Sequence, residues 1–255
     1  MDHRTASRHY RALLDDHLRA PAPRSAARAA SLFTEPVRTA FATERAELST
    51  IEGMLWATWR PVVQAARCSR AAQRDLVDLL DEIRDSRALT RDDGDRCVIW
   101  GEQVVFTDLP CFGAQLREAW DLDEPGSSEQ VNLNAFAARL TAAGIDFSRF
   151  AIWTLREHLE DTTAAEDLGA VLPWMRHCGP TPARLCLRPG RQEQDRGPAR
   201  VGPLGRAGDL GAGGFTPQRW VFWHGRLTEL ATGHDAVAHQ ARTALQHMPA
   251  LESTT

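Results

Sequence analysis

The sequence contains no lysine, so all 30 basic residues are arginine. That absence excludes several chemistries in their usual form: a phosphate-binding P-loop, a Schiff-base or pyridoxal enzyme and a Ser-x-x-Lys acylase each need the amine. GC-rich coding explains the bias without invoking function. The five cysteines (Cys68, Cys97, Cys111, Cys178 and Cys186) are odd in number and widely spaced, as in a reduced intracellular protein and not a disulfide framework. No apolar run approaches the length of a membrane span, and the arginine-rich N-terminus carries Asp2, Asp15 and Asp16, which a transit peptide would avoid. A net charge of −4 leaves no surplus of positive charge for phosphates, which disfavours nucleic acid as a partner. A soluble cytoplasmic or nuclear protein is expected, without a membrane association.

What is present is helical periodicity. The fold signal is strongest from Asn132 to Leu159, where Leu133, Phe136, Ala137 and Leu140 form one helical stripe and Ala135, Ala138 and Ala142 a second face of small residues. Gly144 stands where a left-handed cap needs a residue without Cβ, with Ile145 folding back on Leu140. Asp146 is placed to cap a second helix, so a short link joins two helices into a hairpin. Upstream, Tyr10, Leu13, Leu14 and His17 mark a first helix, and a short helix near Arg24 to Phe33 precedes another that starts at Thr34 with Pro36 in its first turn. The stripe from Leu48 to Val62 runs into Pro61, which should kink or divide it. Leu76, Leu79, Leu80 and Ile83 define a further amphipathic helix whose carboxylates (Asp75, Asp78, Asp81, Glu82, Asp85) read as a solvated, arginine-balanced face and not a metal site. Asp92-Asp93-Gly94-Asp95 reads as a turn, because Leu89 and Arg91 stand where a calcium loop needs acids.

Residues 97–106 break the pattern: two β-branched runs flank Gly101-Glu102 as in a short β-hairpin with a two-residue turn. Asp108-Leu109-Pro110 then opens a helix, Asp167 to Cys178 continues helical, and Thr216-Pro217 starts a helix with Trp220, Trp223 and Leu227 on one stripe. A final helix runs from about His234 to Met248. Residues 179–214 are rich in Gly, Pro and Arg and empty of aromatic residues until Phe215, so a flexible insertion is expected there. The fold class expected is all-α: an irregular multi-helix domain over 1–249 with one short β-hairpin, loosely attached N-terminal helices over 1–33 and a disordered tail over 250–255.

No catalytic, cofactor-binding or metal-binding motif emerges. His177, Cys178 and Cys186 lack zinc spacing, His234-Asp235 has too little chain after it to supply phosphohydrolase ligands, and Gly211 to Gly214 follows no strand. Among eight tryptophans, Trp56, Trp59, Trp220 and Trp223 share stripes with aliphatic residues and belong to the core. Trp153 instead projects among Arg149, Arg156 and Glu160, and is either covered by another element or part of a binding surface. His158 lies in the apolar arc of the same helix, as a histidine bonded to backbone or as a base. Trp153, Arg156 and His158 are therefore the candidate binding surface.

Three blocks together resemble a family of uncharacterised fungal proteins, a domain of unknown function: Trp100-Gly101 with Asp108-Leu109-Pro110 and Phe112-Gly113; Leu133 to Leu155; and Phe215 to Trp223 with Leu227. The likeness covers roughly residues 40–249 and implies an α-helical fold without implying a catalytic residue. Two functions from different classes remain open: a helical interaction or scaffold module with a protein partner and no catalysis, or a small-molecule-binding protein or enzyme with a pocket between helices around His158.

Overall fold

Apolar residues spaced three and four apart fold as twelve α-helices, and the only paired strands among the described residues form one two-residue-per-strand hairpin, in a computed structural model that describes residues 3–21, 24–42, 46–90, 94–161, 167–187, 197–211 and 213–251. The fold is all-α. The chain forms two compact units, 1–123 and 124–255, where one domain over 1–249 was expected. No helix of the described residues is long and apolar enough to cross a membrane.

The first unit holds α1 (His3–Arg19), α2 (Ala26–Ala42), α3 (Leu48–Cys68), α4 (Gln73–Asp85), β1 (Val98–Ile99), β2 (Gln103–Val104) and α5 (Phe112–Leu122). Helix α1 packs on α3 and α2 on α4. Tyr10 and Leu14 are buried, and the Tyr10 ring lies 5.6 Å from that of Phe33. The N-terminal helices are thus part of the core and not loosely attached. Pro36 lies inside a continuous α2, contrary to the expected start at Thr34, and of the kink or division expected at Pro61 the division does not occur. A proline inside a helix forfeits one backbone bond and crowds the preceding turn. Here the apolar faces run through both sites: Ala29, Ala30, Phe33, Val37, Ala40 and Phe41 are buried on α2, and Ile51, Leu55, Trp59, Val62 and Ala66 on α3. Burial on that scale, about 1.5–3 kcal/mol per large side chain, outweighs about 3 kcal/mol for the proline.

Helix α4 follows its stripe, with Leu76, Leu79, Leu80 and Ile83 buried. Of its acids, Asp75 pairs with Arg24 at 3.1 Å and Asp81 with Arg84 at 2.8 Å. Among the described residues no group of three or more His, Cys, Asp or Glu could hold a metal ion. The turn expected at Asp92-Asp93 lies outside the described residues.

In the second unit are α6 (Ser128–Ala142), α7 (Ser148–Leu159), α8 (Val171–Cys178), α9 (Pro180–Cys186), α10 (Pro203–Ala207), α11 (Pro217–Leu230) and α12 (Ala236–His247). Helix α6 is buried on all sides from Leu133 to Ala138, packs on α7 and α8, and is capped by Ser127, whose hydroxyl accepts from the Gln130 amide at 3.1 Å. The link to α7 is the one expected. Gly144 has φ +89°, the Ile145 amide donates to the Leu140 carbonyl at 2.9 Å and the Gly144 amide to that of Thr141 at 3.1 Å, a Schellman closure. Asp146 acts one position earlier than a formal cap, its carboxylate accepting from the Ser148 amide at 2.9 Å while Phe147 holds the cap position.

Within 179–214, expected as a flexible insertion, the described residues include α9, a 3₁₀ turn over Gly197–Ala199, and α10, with Pro182, Ala183, Cys186, Ala199 and Val201 buried. Positions 188–196 and 212 of that stretch, and 252–255 of the tail, lie outside the described residues. What fixes the backbone of the segment is polar, through Glu160 and Arg219.

His17 gives the first unit a pH dependence. It is buried on α1, and its Nε2 finds no hydrogen-bond partner among the described residues. Burial pushes its imidazole below the ordinary range; Asp75 opposes this, Arg24 reinforces it and Asp78 again opposes it. A depressed folded-state value means that the unfolded chain takes up the proton more readily, so stability is full above about pH 6.5 and declines as pH falls below it. Urea denaturation at pH values on both sides of that point should show the wild type losing more stability on acidification than His17→Gln; equal losses would contradict this assignment.

Candidate functional site

The densest chemistry of the second unit is a buried ion pair. Glu160 follows the last residue of α7, and Arg219 is the third residue of α11, positioned by a cap in which the Thr216 hydroxyl accepts from the Arg219 amide at 3.1 Å. Both side chains are 0% exposed. The contact is a fork: Arg219 Nε donates to Glu160 Oε1 at 2.8 Å and a terminal nitrogen to Oε2 at 3.1 Å. Each carboxylate oxygen also takes a second donor, Trp223 Nε1 at 2.6 Å on Oε1 and the Gly202 amide at 2.7 Å on Oε2. The remaining guanidinium hydrogens go to backbone carbonyls of Ala199 (2.9 Å), Gly214 (2.8 Å) and Arg200 (3.4 Å). All four acceptor positions of the carboxylate and all five donors of the guanidinium are thereby used.

This arrangement holds backbone. The Glu160 carbonyl also accepts from the Leu204 amide at 2.9 Å. A Cβ on Gly202 would stand 2.5 Å from Asp161 Oδ1 and 2.6 Å from Glu160 Cβ, so the chain can approach this closely only with glycine there. A carboxylate so enclosed has no free lone pair to take a proton from a substrate. Cys186, which feels Arg219, is pushed up to about 12 by burial even though that cation pulls the other way, and burial does the same to Cys178; neither is a reactive thiolate.

A second buried centre joins α6, α7 and α8. Asn134 Oδ1 accepts from Thr154 Oγ1 and from Trp174 Nε1, each at 2.7 Å, while its amide nitrogen donates to the Gln130 carbonyl at 3.0 Å.

The three residues singled out from sequence do not converge. Trp153 is half-buried, with its ring 4.8 Å from that of Phe150. Arg156 pairs with Asp161 at 3.0 Å. His158, half-buried, donates from Nδ1 to the Thr154 carbonyl of its own helix at 2.9 Å, the backbone-bonded alternative. Two open surface grooves have other linings: one includes Thr141, Asp146, Thr181 and Arg184, the other Ser31, Glu35, Arg38 and Glu82.

Sequence reasoning passed over the exposed feature of the first unit. Val98 pairs with Val104 and Ile99 with Gln103, so the hairpin loop has three residues, Trp100-Gly101-Glu102, and not the two expected. Trp100 and Gly101 both adopt positive φ, +54° and +81°. Trp100 stands 50% exposed, and its Nε1 donates to Glu52 Oε1 of α3 at 3.0 Å. Leu48, one turn before Glu52, is likewise exposed. Three more non-glycine residues with positive φ follow, Phe106, Leu109 and Cys111, each buried. Asp108 does not cap α5 but accepts from the Val104 amide at 2.7 Å, and Trp59 Nε1 donates to the Pro110 carbonyl at 2.8 Å. The Cys111 thiol is pushed up to about 12, first by burial and then by the charge of Glu52.

Removing one partner of a fully buried pair leaves an uncompensated charge, which typically costs about 3–5 kcal/mol. Glu160→Ala and Arg219→Ala should each lower the unfolding free energy of the second unit by about that much, and the double variant by clearly less than the sum, in urea titrations followed by tryptophan fluorescence. Single losses below about 1 kcal/mol, or simple additivity, would contradict the coupling described.

The model of a family described as "Protein of unknown function (DUF3632)" matches residues 59–227. No curated protein and no solved structure matches the chain. The match opens at Trp59, anchored on Pro110, and closes at Leu227, buried on α11; it includes Trp100, Glu160, Gly202, Arg219 and Trp223. Since the match spans more than half of the sequence, the chain belongs to this family of proteins of unknown function.

Proposed function

We propose that this protein is a helical interaction module without catalytic activity, and that the hairpin tip bearing Trp100 is its principal contact. The observation that carries the reading is the half-exposed indole, tethered by its N–H to Glu52 on a loop of two consecutive positive-φ residues. Positive φ is free for Gly101, but at Trp100, which carries a Cβ, it costs about 1–3 kcal/mol and persists only where surrounding structure over-determines it. Tryptophan is the residue type most enriched at the energetic centres of protein interfaces. Trp153 and Arg156, two members of the surface suggested by the sequence, enter the proposal as a secondary contact on α7.

The polar core fits the same reading, since the carboxylate of Glu160 and the amide oxygen of Asn134 are both taken up by protein donors. A pocket around His158 has less support, as its Nδ1 is engaged with backbone of its own helix and neither groove described above includes it. A fungal origin and a cytoplasmic or nuclear setting, suggested by resemblance and composition, belong to this proposal.

A photo-crosslinking benzophenone residue at position 100, in the full chain exposed to extract of the source cell, should give a discrete higher-mass adduct that is absent with the same residue at the exposed Val221. Absence of an adduct at position 100, or equal adducts at both positions, would overturn the proposal.

A further inference from the structure

The charged residues closest in sequence to the two partners of the Trp100–Glu52 contact are acidic, while Arg38 stacks on Phe106 farther along the segment, 4.8 Å from the ring centre. Glu47 holds the N-cap position of α3 and Glu52 lies in its second turn, the hairpin and the segment after it carry Glu102 and Asp108, and the stretches 46–59 and 97–116, bounded by Arg45, Arg60, Arg96 and Arg117, contain no arginine. In a chain with 30 arginines, two arginine-free stretches meet at the Trp100–Glu52 contact. Around that contact stand two exposed apolar side chains, Trp100 and Leu48, with exposed Glu47 and Glu102 beside them in sequence. Glu52 is only half-buried, and its bond to the indole engages one of its two oxygens, Oε1.

Physical chemistry narrows what such a surface would take. An exposed indole face attracts a cation through the ring quadrupole, and arginine, whose plane also stacks on aromatic rings, is the commonest partner. Fixing the indole N–H on a carboxylate holds the ring in one orientation and places negative charge at its edge, where a guanidinium over the face gains a second partner. Leu48 offers apolar surface for the methylene stem of the same side chain. A purely apolar partner would have to desolvate the neighbouring carboxylates without compensation, and an acidic one would meet like charge.

We propose that the Trp100–Glu52–Leu48 surface docks an arginine-bearing segment of a partner protein, the guanidinium lying on the indole face and pairing with Glu52. The inference rests on the interaction-module reading and adds to it the chemistry of the partner.

The test uses the full chain and a fluorescein-labelled peptide of alternating Arg and Gly, with lysine and glutamate counterparts, followed by fluorescence anisotropy at low and at physiological ionic strength. Saturable binding is expected for the arginine peptide, weaker binding for lysine and none for glutamate. Trp100→Gly, which removes the ring and relieves the positive φ, should weaken the arginine peptide by about tenfold or more. Glu52→Gln, which keeps a hydrogen-bond acceptor and removes the charge, should weaken it several-fold and flatten its salt dependence. Val221→Ala, at an exposed position of α11 outside both contacts, should leave it unchanged, and unaltered thermal midpoints would exclude misfolding as the cause. No saturable binding, no preference for arginine over glutamate, or indifference to both Trp100→Gly and Glu52→Gln would overturn the inference. So would self-association of the chain that Trp100→Gly abolishes, because the occupant would then be a second copy. A crosslink at position 100 without arginine-peptide binding defeats this inference alone, whereas absence of both defeats the interaction-module reading as well.

Discussion

The second unit depends on one enclosed charge pair, Glu160 with Arg219. Taking two ions out of water carries a penalty of several kcal/mol each, which only close geometry and complete hydrogen bonding offset. Here every lone pair and every N–H is used, and three of the arginine's bonds go to backbone carbonyls of a glycine- and proline-rich stretch that has few apolar side chains of its own to bury. The position of each charge underlines the dependence. Glu160 sits at the C-terminal end of α7 and Arg219 in the first turn of α11, each at the helix end whose dipole disfavours its sign. Neither charge is explained by its own helix, and each is explained by the other.

That pair also marks where sequence reasoning reached and where it stopped. Local rules were legible: Gly144 and Ile145 close α6 as their spacing implies, Thr216-Pro217 opens α11, and the Leu76 to Ile83 stripe is buried. These depend on residues within a few positions of one another. The packing of 197–211 was not legible, because its order comes from Glu160, Arg219 and Trp223, distant in sequence, acting on backbone and not on the segment's own side chains. An acid just past a helix C-terminus and an arginine just inside a helix N-terminus were the available signal. Continuity through Pro36 was missed for a related reason, since a proline's local penalty is visible in sequence and the tertiary burial that outweighs it is not.

The candidate contact shows the same division. Trp153 stands out in sequence because charged neighbours flank it, yet it is half-buried against Phe150. Trp100 looks like a strand residue and becomes prominent only when a three-residue loop with positive φ turns its indole outward. The first unit anchors that loop through Glu52, Asp108 and the Trp59–Pro110 bond, whereas polar groups of the second unit are used to fix its own backbone. Rigid anchoring around an exposed aromatic residue is what a binding surface requires, since side chains already ordered lose little freedom on association.

Amide hydrogen exchange at Gly202 and Leu204 tests the central claim most directly. Both amides donate to Glu160, one to its side chain and one to its carbonyl. If the ion pair orders the segment, these two amides exchange only when the second unit unfolds, with protection matching that of Leu155 and Leu159 in α7. Exchange at the rate of an open loop, while α7 stays protected, would contradict the account.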